Sequence, residues 1–181
     1  GTYPLATENM LFDAITIIGS AAPTGAVFVT ASGASCRYFL LNHAEALLAN
    51  VTLANARVAM HGGALCLAGA GGTVSNCVVR GNVTDSNTSG GAIYMMTPNG
   101  RVTRTLISGN GVQNPGVGGG VCMLAGCLDN CLVVSNTTSS GTRYPYGGGI
   151  HMSGGQVVNC TIARNEGNQG GGLYRKANAG Y

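Results

Sequence analysis

A four-residue phrase, Gly-Gly-(Ala/Gly)-(Leu/Ile/Val), occurs five times in this chain, beginning at Gly62, Gly90, Gly118, Gly147 and Gly170. The steps between copies are 28, 28, 29 and 23 residues. A period of about 20 to 50 residues denotes stacked units, each of which buries a core only against its neighbours. The chain is therefore constrained to a solenoid before any single residue is interpreted.

Between successive copies runs a second phrase, covering residues 74–82, 102–110, 128–136 and 157–165. Within the first of these, Val74, Cys77 and Val79 are small, apolar or β-branched, and polar or variable positions separate them. That is a period of two broken by a corner at Asn76, which fits two short strands and no helix. The glycine phrase supplies a third strand, because Leu65/Leu67, Ile93/Met95, Val121/Met123 and Ile150/Met152 alternate in the same way. Degenerate forms of the second phrase occur at residues 48–53 and, more faintly, 12–17. Three short strands per turn, joined by corners and repeated, predict an all-β parallel β-helix whose coils stack ~4.8 Å apart.

Asparagine marks two positions in each unit. Asn50, Asn76, Asn130 and Asn159 sit at the corner, with Arg104 in the intervening coil. Asn tolerates the left-handed conformation of a sharp corner, and its amide both donates and accepts, so this row is expected to form a ladder up the stack. A second row, Asn82, Asn110, Asn136 and Asn165, precedes the variable loops and is also expected to be structural.

Charged residues make up 8% of the chain, against about a quarter in ordinary soluble domains. The net charge of +3 is scattered, and without a basic stripe nucleic-acid binding is not expected. No stretch approaches the roughly 18 apolar residues of a membrane span. Seven cysteines are present. Cys77, Cys131 and Cys160 share one inward position, with Thr105 filling the missing step. Parallel in-register thiols point the same way, so free apolar fillers are expected in place of disulfides. Residues 1–181 are expected to be one β-helix domain, with degenerate coils over 1–61 and regular coils over 62–181, cut from a longer chain.

The phrases resemble those of a known family. Gly90-Gly-Ala-Ile93 and Gly62-Gly-Ala-Leu65, followed by Val79-x-x-Asn82, Ile107-x-x-Asn110, Val133-x-x-Asn136 and Ile162-x-x-Asn165, are similar to the repeat of chlamydial polymorphic outer-membrane proteins. Val or Ile stands throughout where that family has Phe, so the resemblance is to the broader group of bacterial right-handed β-helix repeat proteins. It covers roughly residues 62–174. It implies a right-handed helix of pectate-lyase-like cross-section, export to the cell surface or bacterial outer-membrane exterior, and an adhesin-like or structural role as an autotransporter passenger. It also implies a groove along the first strand, lined by the outward residues Cys66, Tyr94, Cys122, His151 and Tyr174. Loops at 83–89, 111–117, 137–146 and 166–169 would flank it. The longest holds Arg143, Tyr144 and Tyr146, a set suited to stacking on a sugar or gripping an anionic group.

The residues do not converge on catalysis. Hydrolysis of a polysaccharide needs two carboxylates flanking the bond. The six acids, Glu8, Asp13, Glu45, Asp85, Asp129 and Glu166, form no pair in sequence, and His43, His61 and His151 occupy unrelated coil positions. No catalytic residue, metal or cofactor is expected within the chain. The expected partners are glycans or a host or neighbouring cell surface. Two other classes are carried forward: a fragment of a carbohydrate-active enzyme, and a filament subunit that stacks end to end.

Overall fold

The computed structural model describes residues 1–11, 13–19, 26–30, 35–85, 87–113, 115–139 and 146–176. Its pairings are all parallel, and successive coils lie directly on one another. One coil is representative. Leu65–Leu67 follows the glycine phrase, Gly72–Ser75 leads to the Asn76 corner, Val78–Arg80 leaves it, and Val83–Thr84 closes the turn. The three strands read from sequence are thus joined by a fourth of two residues, which begins directly after the second-row asparagine. Among the described residues these four kinds of strand build sheets of seven, six, seven and four members.

Three left-handed positions recur from coil to coil. One is the first glycine of the phrase, with φ between 61° and 72° at Gly62, Gly90, Gly118, Gly147 and Gly170. The second is the asparagine corner, where Asn50, Asn76, Asn130 and Asn159 have φ of 50° to 56° and Arg104 has 47°. The third, just before the second asparagine row, is taken by Asn55, Gly81, Gly109, Ser135 and Arg164. The second glycine of the phrase has a different reason to be glycine. A Cβ at Gly91 would overlap the carbonyl oxygens of Gly119 and Gly111, so neighbouring coils approach too closely there for any side chain.

Alternation within the strands fills the interior. Leu48, Val74, Val102 and Leu128 form one stacked row, and Leu53, Val79, Ile107 and Val133 another. Leu65, Ile93, Val121 and Ile150 face them from the glycine-phrase sheet, and all belong to one core cluster. Cys77 and Cys131 complete that core as free thiols. Their S–H groups donate to carbonyls, Cys77 to Ser75 at 3.2 Å and Cys131 to Asp129 at 3.2 Å. Burial pushes the first thiol up to about 11 and the second up to about 12, so both stay protonated and unreactive.

The coil that precedes the first glycine phrase keeps the architecture without the phrase. Phe39–Leu41, Leu47–Ala49, Val51–Ala54 and Arg57–Val58 occupy the four strand positions. Larger rings fill this end. Phe28 packs edge-on against Phe39 with centroids 5.3 Å apart, and the buried Tyr38 hydroxyl donates to the Ala54 carbonyl at 2.6 Å.

Candidate functional site

The outer face of the glycine-phrase sheet is assembled by register. Leu40, Cys66, Tyr94, Cys122, His151 and Tyr174 pair one to the next across the strands, so they form a single row along the stack. In the middle strands their neighbours on either side, such as Ile93 and Met95, point inward and are fully buried.

A second row lies beside it, made of the residue immediately before each glycine phrase: His61, Ser89, Val117, Tyr146 and Gln169. The carbonyls of Ser89, Val117, Tyr146 and Gln169 each accept from the first glycine of the preceding coil, at 2.9 to 3.0 Å. One geometric rule then pairs the two rows, because a residue of this second row covers the outward residue one coil further on. His61 stacks on Tyr94 with centroids 4.8 Å apart, and Tyr146 stacks on Tyr174 at 4.4 Å. Ser89 hydrogen-bonds Cys122 in the same relation. This cover explains why the outward-pointing Cys122 is only 2% exposed.

His151 also stacks on Tyr174, at 5.5 Å. One face of Tyr94 is therefore taken by His61, and one face of His151 by Tyr174. Between the coils of Tyr94 and His151 lies the one that carries Cys122. Two strand spacings, roughly 9.6 Å, separate the coils of Tyr94 and His151. A cavity of about 370 Å³ occupies this place, with Tyr94, Cys122, Tyr146, His151, Tyr174 and Lys176 in its wall. On the far side of Tyr94 lies a second hollow of about 610 Å³, bordered by Arg37, Met60, His61, Cys66 and Met96.

The groove is weakly basic, with Arg37 and Lys176 at its walls. Burial lowers the His151 imidazole below its ordinary value, and the nearby Lys176 charge adds to this. His61 is lowered by burial and then by Arg37. Burial raises the Tyr94 phenol, as do the neighbouring Cys122 and Cys66 thiols. Arg37 pairs with Glu8 and also donates to the His61 carbonyl at 2.6 Å, which pins the ring that covers Tyr94.

Tyr94, His151, Tyr174 and Tyr146 are thus brought together, whereas Arg143 and Tyr144 lie outside the described residues. His61, Arg37, Glu8 and Lys176 join the site without having been singled out in the sequence. For His61 a signal existed: it stands at the same place before its glycine phrase as Tyr146 does. The histidines at different coil positions, His61 and His151, consequently share one face. Of the acids, Glu8 pairs with Arg37, Asp129 with Arg101, and Asp85 lies 3.4 Å from Arg57. No group of three or more His, Cys, Asp or Glu side chains is placed to hold a metal among the described residues.

The asparagine rows stand at the two ends of the strand that leaves the corner, Asn76 before Val78–Arg80 and Asn82 after it. Asn76 Nδ2 donates to Asn50 Oδ1 at 2.7 Å, but Arg104 turns to Ser75 Oγ at 2.9 Å and Asn130 to its neighbour Asp129. The second row is continuous. Asn82 Nδ2 donates to Asn110 Oδ1 at 3.0 Å, Asn110 to Asn136 at 2.9 Å, and Asn136 to Asn165 at 2.9 Å.

A family model described as "Right handed beta helix region" matches residues 37–179. No curated protein matches the chain. Nor does any solved structure.

Proposed function

We propose, from the premise that the chain belongs to the right-handed β-helix family, that it is a non-catalytic glycan-binding rod. On this view it is an adhesin-like segment of a secreted or cell-surface bacterial protein. The observation that carries it is the cavity over Cys122, whose wall brings together the rings of Tyr94, Tyr146, His151 and Tyr174. The negative face of an aromatic ring attracts the positively polarised C–H bonds of a pyranose. A cavity of about 370 Å³ admits one sugar ring against the Tyr94 face. Ser89, Ser153 and Lys176 at the rim supply the few polar contacts that orient a ligand in a mostly apolar pocket.

The rigidity of the stack supports the same role. A row set by sheet register holds its spacing without help from a ligand, and preorganisation of this kind lowers the cost of binding. Glu8, the acid at the edge of the groove, is held by Arg37, so paired carboxylates do not face the cavity.

Glycan-array screening followed by calorimetric titration tests the proposal. Tyr94→Ala should weaken binding of the best glycan about tenfold, equivalent to about 1.4 kcal/mol, and the recovered glycan should be unchanged in mass. A cleaved glycan would move the protein to the carbohydrate-active class. Binding that ignores Tyr94→Ala, or no binding to any glycan, would sink the proposal.

A further inference from the structure

We infer that Cys122 and His151 form a binding site for a soft monovalent cation, Cu(I), on the floor of the groove. The two residues are register partners on adjacent strands, and Cys122 Sγ lies 3.8 Å from His151 Nδ1. They are 2% and 7% exposed, and both open into the cavity of about 370 Å³ through which a small ion reaches them. This inference goes beyond the glycan proposal and does not depend on it.

Geometry and donor chemistry select the ion. A two-coordinate ion held nearly linearly by metal–sulfur and metal–nitrogen bonds of ~2.3 and ~2.0 Å sets its donors ~4.3 Å apart. The pair, at 3.8 Å, opens by about half an ångström to take it, a shift within reach of a side-chain rotation. Zinc sites draw three or four ligands from the protein, and no third His, Cys, Asp or Glu completes a set here among the described residues. Thiolate and imidazole together favour a soft ion that accepts two protein ligands. Hard cations are disfavoured because the cavity wall carries no carboxylate.

Charge balance removes the usual objection to a buried cation. The Cys122 S–H bond breaks, an Sγ–Cu bond forms, and the proton leaves to solvent through the cavity. The His151 Nδ1 lone pair makes the second bond, and copper remains Cu(I) throughout. One positive charge replaces another, so neither burial nor the Lys176 ammonium opposes the exchange.

The test must separate this pair from the other thiols. The folded chain would be titrated anaerobically with Cu(I) against a chromogenic Cu(I) chelator. His151→Ala removes no thiol, yet it should weaken the tightest site by at least the 10–100-fold that loss of even an outer-shell partner costs. Cys122→Ser should lose the same site, and Cys77→Ala, an interior thiol, should leave it intact. Retention of wild-type affinity by folded His151→Ala would overturn the inference. Should either site variant fail to fold, X-ray absorption of the Cu(I)-loaded wild-type chain decides. A shell of one sulfur and at least one nitrogen supports the site, and a sulfur-only shell refutes it.

Discussion

The two asparagine rows are alike in sequence and unlike in what they do. Asn82 and Asn110 are 0% exposed, and each unit repeats one pattern of bonds. In that pattern Asn110 Oδ1 accepts from the Asn82 backbone N–H at 2.9 Å and from its Nδ2 at 3.0 Å. Asn110 Nδ2 donates to Val79 O and Asn136 Oδ1, each at 2.9 Å. Every polar atom of the amide has a partner in a place water does not reach, and no other side chain has that set of donors and acceptors at that length. The corner row is exposed at Asn76, Arg104, Asn130 and Asn159. What it shares is a left-handed φ, and Arg104 meets that requirement without an amide. Burial makes a row chemically exacting, whereas exposure leaves only a conformational demand.

The largest effect should therefore come from Asn110→Ala. It leaves the buried Asn82 backbone N–H without its acceptor, at about 1–3 kcal/mol, and removes the bonds to Val79 O and Asn136 Oδ1 at about 1 kcal/mol each, for a loss of about 3–5 kcal/mol in urea unfolding. A loss under about 1 kcal/mol would show that water replaces the amide and that the contrast between the rows is false. Asn76→Ala should cost only about 1 kcal/mol, the penalty of a left-handed L-residue. Asn76→Gly should be nearly neutral by thermal melting. If the glycine variant is as damaged as the alanine one, the Asn76–Asn50 hydrogen bond matters more than φ. Smallest, and of opposite sign, Arg104→Gly should stabilise by up to about 1 kcal/mol, since it relieves the same strain and gives up one surface bond to Ser75. A destabilised Arg104→Gly would mean that the guanidinium contact outweighs the backbone term.

The groove shows the same division between what a row requires and what it tolerates. Tyr94, Cys122 and His151 occupy equivalent places, and nothing in the fold demands a ring there, unlike the interior, where Leu65, Ile93, Val121 and Ile150 are uniformly aliphatic. Variation on the outer face carries the proposed specificity, and uniformity on the inner face carries the stack.

Much of this was legible in the chain itself. Strand alternation assigns Ile93 and Met95 inward and Tyr94 outward, because successive side chains leave a strand on opposite faces. Asn at a corner announces a left-handed turn through its own backbone preference. These are local effects, transmitted over one or two residues. The fourth strand at Val83–Thr84 escaped notice because two residues are too few to show a period. The Cys122–His151 contact and the cover of Tyr94 by His61 escaped it for another reason. Both join residues 29 and 33 positions apart, at a separation set by how each coil settles on the next.

The sequence alone thus determined that the chain winds into parallel coils, where those coils bend, and which side of each strand is apolar. Only the tertiary structure decided which asparagine row is sealed from water, which ring covers which neighbour, and that a thiol and an imidazole meet at 3.8 Å. Periodicity and φ preference are properties of short segments. Burial and ring stacking depend on the offset between coils, and no residue carries that offset on its own.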